Sequence, residues 1–544
     1  MSDRPLRSLS RIWSLLHWER RDLRLVFLFA LFISVLSLAT PITIEALVNT
    51  VTFGVAMWPV IWLAVIMLFC LGFAALIQML ETWVIELLQQ RLFVRVVADF
   101  AYRLPRVRLD AYEEQHGPQL LNHFFDLMTV QKSTAALLLD GTRIIIATVV
   151  GLIVLSVYHP LLLAFAIGLI LMLIVLFLLG FGGVRTSIDE SEAKYRTAAW
   201  LQQITGMPRT FKTGAGPGLA LQRSHELIDN YVSLRRRHFS VVFRQVIFSL
   251  GIQVAASVSL LGLGGYLVIQ QQLTLGQLVA AELIVALVAG NLAKAGKYLE
   301  HWYDLCTGMT KLGYITDLPI ERLEGEPMLR KDGGIDLAVQ TMGYNAAHTA
   351  IGEVTWQVAA NERVAIAGPV GSGKTAILDI IAGLRDPDSG RVLLDGVDLR
   401  DLQLESVRGQ VAMVHAIEIF TGTIDENIKA GRDIDPTAIR QALQTVRILD
   451  TVHAMPDGIH TALNPSGFPL SPGLALRLML ARAMVGRPRL LILDGILDVM
   501  DPVDDNALFD TLFDRTMPWT LVIVSRRPEI LARCDRVITI GAGH

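Results

Sequence analysis

The chain has 544 residues, of which 52% are hydrophobic and only 18% charged, with a mean hydropathy of +0.48. Soluble domains run nearer a quarter charged, so this composition describes a membrane chain or one very large core, and it excludes disorder for most of the length. The balance of 48 basic against 51 acidic residues excludes nucleic acid as the main partner. Cys70, Cys306 and Cys534 stand far apart, a spacing that indicates neither a disulfide framework nor a zinc site.

Apolar runs long enough to cross a bilayer sit only in the first 300 residues. The clearest are Leu25–Ile44, Trp58–Leu80, Leu161–Val184 and Val246–Ile269, with weaker runs at Ile144–Tyr158 and Leu278–Ala293, giving six spans. Residues 1–24 carry Arg4, Arg7, Arg11, Arg20, Arg21 and Arg24, too charged for a signal peptide, and read as a cytoplasmic anchor. The connections after spans one, three and five contain no Lys or Arg, whereas those after spans two and four (81–143 and 185–244) are long and basic. By the positive-inside rule both termini and the two long loops lie inside. Helical periodicity in the long loops, as in Val84-Leu87-Leu88-Leu92, predicts spans that continue past the membrane and turn at Gly117-Pro118 and at Gly214–Pro217.

Glu45, Asp140, Arg143, Arg244 and Glu282 lie within or beside the spans. An acid at bilayer depth often marks a transport path. For the first four, snorkelling or a hydrogen bond at the interface is the commoner case, and only Glu282 falls well inside a run. None of them identifies a substrate. Phe53, Trp58 and Trp83 are too scattered to define a cavity and read as interface aromatics.

A linker is expected over residues 317–334. After it, short apolar runs alternate with helical patterns, which predicts a mainly parallel α/β sheet over 335–544. The buried-strand pattern Arg363–Ala367 runs into Gly368-Pro369-Val370-Gly371-Ser372-Gly373-Lys374-Thr375 and then into the helical Ala376–Leu384. This is the phosphate-loop spacing in its strand–loop–helix context. Glycines let successive N–H groups converge on phosphate oxygens, Lys374 reaches the outer phosphates, and Thr375 holds Mg²⁺. A second strand, Leu490–Leu493, ends in Asp494, placed to orient the metal. Tyr344, 24 residues before Gly368, is spaced as an aromatic that stacks on a base, or is an ordinary strand tyrosine.

Six spans with long inward helices, a phosphate loop and an Asp-terminated strand resemble an exporter-type half of an ABC transporter. Leu470-Ser471-Pro472-Gly473-Leu474 stands where that family has Leu-Ser-Gly-Gly-Gln. Arg477–Ala483, Pro488, Thr423–Ile428 and Asp501, at the family's D-loop aspartate, follow in register. The resemblance implies a membrane domain over 25–316 and an ATP- and Mg²⁺-binding domain over 335–544. It implies dimerisation with a second half, each ATP lying between one phosphate loop and the other half's signature, here Ser471 and Gly473. It also implies coupling helices at the loop tips, near Asp110–Leu121 and Met207–Pro217. By the same comparison, no N-terminal peptidase domain is expected before the first span, and the terminal helices of relatives are expected to be missing after Arg536–Ile540.

Against the family pattern, Gly495 stands where a glutamate acts as general base, and Arg526 where a histidine contacts the γ-phosphate. The Q-loop glutamine is replaced by His415 or Ala416, depending on the alignment. A rescue-base role for His415 is set against the commoner surface-loop histidine. Groups that bind nucleotide are kept, and groups that cleave it are lost. Three readings follow: a half with an impaired ATP site paired with a competent partner, a homodimeric ATP-gated membrane protein or regulator, or a slow homodimeric exporter. The transported substrate is not legible. The expected setting is a bacterial inner membrane, with lipid around the spans.

Overall fold

The computed structural model describes residues 19–52, 57–115, 121–346, 349–500 and 506–541. Gly117-Pro118, Phe53, Arg4, Arg7, Arg11 and Asp501 lie outside the described residues. The chain forms two compact units that divide at Pro319/Ile320.

In the first unit, six helical segments among the described residues are long and apolar enough to cross a membrane: Arg20–Val51, Met57–Arg106, Asn122–Tyr158, Pro160–Gly206, Gly216–Ile269 and Leu275–Thr316. Each contains one of the apolar runs, and several continue far beyond it. The 47-residue helix Met57–Arg103 is about 70 Å long at 1.5 Å per residue, against roughly 30 Å of hydrocarbon. The short turns are fixed by local chemistry. At Tyr158–Leu161 the His159 Nδ1 accepts from Leu161 N and Pro160 starts the next helix, where its missing N–H costs nothing. Before the sixth span, Thr274 and Gln277 form a reciprocal capping box. At the tip of the second long loop, the short helix Pro208–Lys212 turns the chain, and Gly216 lets the backbone pass Thr210, whose carbonyl oxygen lies 2.5 Å from where a Cβ would sit.

The core of this unit joins spans three to six through Leu155, Leu162, Leu260, Leu267, Ile284 and Leu292, all fully buried. Large apolar side chains such as Val157, Leu171, Val254 and Leu261 face outward, an arrangement that suits lipid rather than water.

The flagged ionisable groups are mostly hydrogen-bonded. The Tyr158 hydroxyl donates to Glu45 Oε2 at 2.7 Å, and Arg244 donates to the Leu179 carbonyl at 3.3 Å. Arg143 pairs at 2.7 Å with Glu81, which is wholly buried. Glu81 stands at the start of the polar connection expected over 81–143, but it lies within the helix Met57–Arg103. Glu282 is half-buried, and among the described residues its Oε2 has no hydrogen-bond partner.

The second unit holds β1 (Leu337–Ala346), β2 (Thr349–Val358), β3 (Arg363–Ala367), β4 (Ser389–Leu394), β5 (Val397–Asp398), β6 (Val411–Val414), β7 (Gly422–Thr423), β8 (Ala462–Leu463), β9 (Leu490–Asp494), β10 (Thr520–Val524) and β11 (Arg536–Thr539). The main sheet is parallel in the order β11-β3-β10-β9-β6, and an antiparallel sheet runs β2-β1-β4-β5.

Period-two alternation builds a core on each face of the main sheet. Val364, Ile366, Leu490, Ile492, Val522 and Val524 pack toward α1 (Lys374–Ile381) and the antiparallel sheet. Ala365, Leu491, Leu493, Leu521 and Ile523 pack toward α2 (Pro472–Val485). Arg489, at the start of β9, binds Asp395 and the Gly333 and Gly334 carbonyls. Residues 320–334, expected as linker, pack within this unit: Met328 is buried, and Glu321 takes two hydrogen bonds from Arg408.

Candidate functional site

Parallel pairing brings the C-terminal ends of β3, β6, β9 and β10 to one edge, where ligands of α/β sheets bind. The loop after β3 enters α1 at Gly373. Gly371 and Gly373 hold φ of +81° and +79°, the left-handed region glycine adopts without strain. At Gly368 a Cβ would lie 2.5 Å from the Ile540 carbonyl oxygen, so only glycine fits. The first N–H groups of α1 have no partner within the helix, which makes this loop an anion cradle. Within it the Lys374 amine donates to the Gly368 carbonyl at 3.1 Å, to Pro369 at 2.6 Å and to Ser372 Oγ at 3.2 Å. Burial, then the Arg526 charge, holds this amine below the usual lysine range, while Asp494 acts in the opposite sense. Ser372 is buried and Val370 points outward.

At the end of β9, Asp494 Oδ2 accepts the Thr375 hydroxyl at 2.7 Å and lies 2.9 Å from His415 Nδ1. Thr375 and Asp494 are hard oxygen donors of the kind Mg²⁺ takes, so these residues fit that ion. Lys374, Thr375, Asp494, His415 and Arg526 thus lie together at this edge. Ala416, the other candidate for the Q-loop position, is exposed, with no polar side-chain atom to offer. Gly495 has φ +67°, its N–H donates to the Val524 carbonyl, and a Cβ there would meet open space. Arg526 is held by its backbone N–H on Asp498, which also accepts the Ser525 hydroxyl at 2.5 Å. Sequence reasoning passed over Asp498, which lies four residues beyond Asp494 in a short helical turn with no motif signal.

Tyr344 departs from the expected base platform. Its ring belongs to the buried core and is 8% exposed, and its hydroxyl accepts from Arg385 at 3.0 Å. Stacking needs an open ring face, which this packing does not offer. Ser471 caps α2, its hydroxyl accepting from Leu474 N at 3.4 Å, and a Cβ on Gly473 would meet open space. Leu474 packs partly against the core beside α2. Arg482, further along α2, binds the Asn427 carbonyl and side chain and the Glu418 carbonyl, tying the Thr423–Ile428 segment to this helix.

In the first unit, a cavity of about 820 Å³ is lined chiefly by apolar residues, among them Leu88, Ile145, Val149, Ile170 and Phe177. A smaller cavity of about 180 Å³ has a mixed wall, in which Ser34, Asp140, Arg143, Asn291 and Lys294 stand among apolar residues such as Ile33 and Leu287. Ile144 and Tyr298 line both.

A six-span helical unit joined to a phosphate-loop α/β unit defines an exporter-type membrane ATP-binding architecture. Residues 23–292 match the ABC transporter transmembrane region and residues 351–497 match the ABC transporter nucleotide-binding family; the chain belongs to the ABC transporters and has the fold of an exporter half. Its backbone is similar to that of a bacterial Atm1-family ABC exporter with ATP bound, at a TM-score of 0.85 and 19% identity, covering 96% of this chain and 95% of the other. An ATP-dependent lipid A-core flippase of Paraburkholderia xenovorans is 32% identical over 259 residues, 45% of this chain and 43% of that protein. A multidrug efflux ATP-binding/permease protein of Mycobacterium tuberculosis is 31% identical over 286 residues, 52% of this chain and 24% of that protein. The chain thus spans less than half the length of these curated relatives.

Proposed function

We propose that this chain is the ATP-binding half of an exporter whose own ATP site cleaves poorly and that works beside a second, catalytically competent half. The observation that carries this reading is Gly495. The position after Asp494 has no side chain to accept a proton from an attacking water, and loss of a general base costs about 10²–10⁴ in rate. Arg526 adds positive charge where the family's histidine would stand, and Arg cannot supply a neutral hydrogen-bonding ring. The intact loop, Thr375 and Asp494 support retained binding of ATP with Mg²⁺. In a pair of this kind, Ser471 and Gly473 complete the partner's site. A homodimeric ATP-gated regulator, or a slow homodimeric exporter, is what a lone-chain result would leave.

The test is ATP binding alongside steady-state and single-turnover hydrolysis by the purified chain in lipid. Binding with turnover no faster than in Lys374→Ala supports the proposal, and co-expressed candidate halves are then screened for restored turnover. Brisk turnover by the chain alone, abolished by Lys374→Ala, sinks it.

The two cavities, which share Ile144 and Tyr298, support an amphiphilic substrate, with its apolar part in the larger and an anionic or zwitterionic head among Asp140, Arg143 and Lys294 in the smaller. The relative named as a lipid A-core flippase is consistent with that chemistry. The arginines of residues 1–24 and of the long loops support a bacterial inner membrane with both termini cytoplasmic. Native mass spectrometry of the chain with bound anionic lipid tests the substrate class: Lys294→Ala should lose the lipid, and unchanged retention would reject this head-group site.

A further inference from the structure

The smaller cavity holds an acid and a base that do not pair. Asp140 of the third span and Lys294 of the sixth both line it, and among the described residues neither forms an ion pair. Both are exposed, so water solvates them in place of a partner. The other base on the wall, Arg143, is already matched by the buried Glu81. One charge of each sign is therefore left to meet an occupant. A π-turn over Leu137–Gly141 distorts the third span here, as often happens at functional sites. Leu137, Leu138, Gly141 and Thr142 line the larger cavity, and Asp140 and Arg143 the smaller. Asp140 lies 18 residues before the end of its span at Tyr158, and Lys294 lies 19 residues after the start of its own at Leu275. At 1.5 Å per residue both stand about 27–28 Å from that side of the membrane, the head-group level of the opposite leaflet.

The geometry points to a zwitterionic lipid whose head joins a phosphate to a primary ammonium, of the phosphoethanolamine class. The inference rests on the proposed reading that this cavity takes an amphiphile's head, and it names which head. Lys294 and the Asn291 amide donate to the phosphate, and Asp140 accepts from the ammonium. An anionic head without the amine meets Asp140 as a like charge, and a purely cationic head meets Lys294 in the same way. The Ser34 and Ser37 hydroxyls already donate, at 2.7 Å each, to the Ala30 and Ser34 carbonyls, so their oxygens are left only to accept. The Tyr298 hydroxyl is directed at Asp140, and a carboxylate with about four acceptor positions has room for further donors. This wall of acceptors calls for N–H groups, which a primary ammonium has and a quaternary one lacks. Quaternary ammonium is held by aromatic cages, and Tyr298 is the single aromatic among the described residues of the wall.

The experiment is native mass spectrometry of the full chain in detergent, offered equal amounts of phosphatidylethanolamine, phosphatidylcholine and phosphatidylglycerol with matched acyl chains, and read at the first lipid retained. The expected result is phosphatidylethanolamine over each of the others by about fivefold, the worth of a partly solvated ion pair. Asp140→Asn, which keeps the shape of the side chain, should remove that preference over phosphatidylglycerol, whereas Lys294→Ala should lower retention of all three. The unmodified chain carries the test even if a variant folds poorly. Soluble phosphoethanolamine should not displace the lipid at equal concentration; displacement there makes the free head the ligand and overturns the lipid assignment. Phosphatidylglycerol or phosphatidylcholine retained as well as phosphatidylethanolamine, but lost in Lys294→Ala, overturns the inference and leaves the head-group cavity standing. Equal retention of all three, unchanged in Lys294→Ala, overturns the two together.

Discussion

Arg143 in the third span and Glu81 in the second are joined by a 2.7 Å ion pair in which the acid is wholly buried. Among the described residues, Glu81 Oε1 and Arg143 Nε have no hydrogen-bond partner, so the two charges depend on each other. Arg143→Met leaves the wholly buried Glu81 carboxylate uncompensated and should destabilise the chain by about 3–5 kcal/mol, while the double replacement Glu81→Leu with Arg143→Met should recover most of that loss. Thermal unfolding in detergent, run as a double-mutant cycle, checks this. Additive losses would show that the pair is not coupled.

Gly495→Glu places a carboxylate directly after Asp494. The left-handed backbone at this position costs a non-glycine residue roughly 1–2 kcal/mol, although a Cβ meets only open space. Gly495→Ala should show the same stability loss without any gain in turnover, while Gly495→Glu should raise ATP hydrolysis by about tenfold or more. Rate assays on both variants, beside their unfolding temperatures, separate the strain from the chemistry.

Tyr344 should matter to folding rather than to nucleotide. Tyr344→Phe forfeits the hydrogen bond from Arg385, worth about 1 kcal/mol, and should leave ATP affinity within about twofold. Tyr344→Ala, which opens a cavity in the core, should cost about 3–5 kcal/mol. A stable Tyr344→Ala chain with sharply weaker ATP binding would restore the base-platform reading.

ATP affinity should fall as pH rises through the Lys374 pKa, since the ammonium form is the one that attracts phosphate. Burial and the Arg526 charge hold that pKa down, so the fall begins below the range of about 10.4 for free lysine. Arg526→Ala removes a repelling charge and should move the midpoint upward, the opposite of what loss of an attractive partner would do. Lys374→Ala should weaken binding about 30- to 100-fold at neutral pH, a loss of about 2–3 kcal/mol. Equilibrium titration with a fluorescent ATP analogue across pH reads all three.

The spans and the phosphate loop were legible because both are written locally: an apolar run needs only its length, and the loop needs glycines at fixed offsets between a strand and a helix. The apolar runs of β3 and β9 likewise marked two strands of the sheet. What remained hidden depends on partners distant in the chain. Glu81 reads as the polar start of a loop until Arg143 is packed against it. His415 lies 79 residues from Asp494, and only the β6–β9 register makes them neighbours. Tyr344 has the right spacing for a base platform, but spacing does not tell which face of β1 turns into the core.

The left-handed turn at Gly495 also bears on reversibility. Where a lost catalytic side chain leaves an ordinary backbone behind, one substitution can bring it back. Here the main chain has settled into a shape that L side chains rarely adopt, with the Gly495 N–H bonded to the end of β10. On the proposed reading of a poorly cleaving site, a lineage gaining a glutamate here meets a folding cost before any catalytic gain, and that asymmetry works as a ratchet.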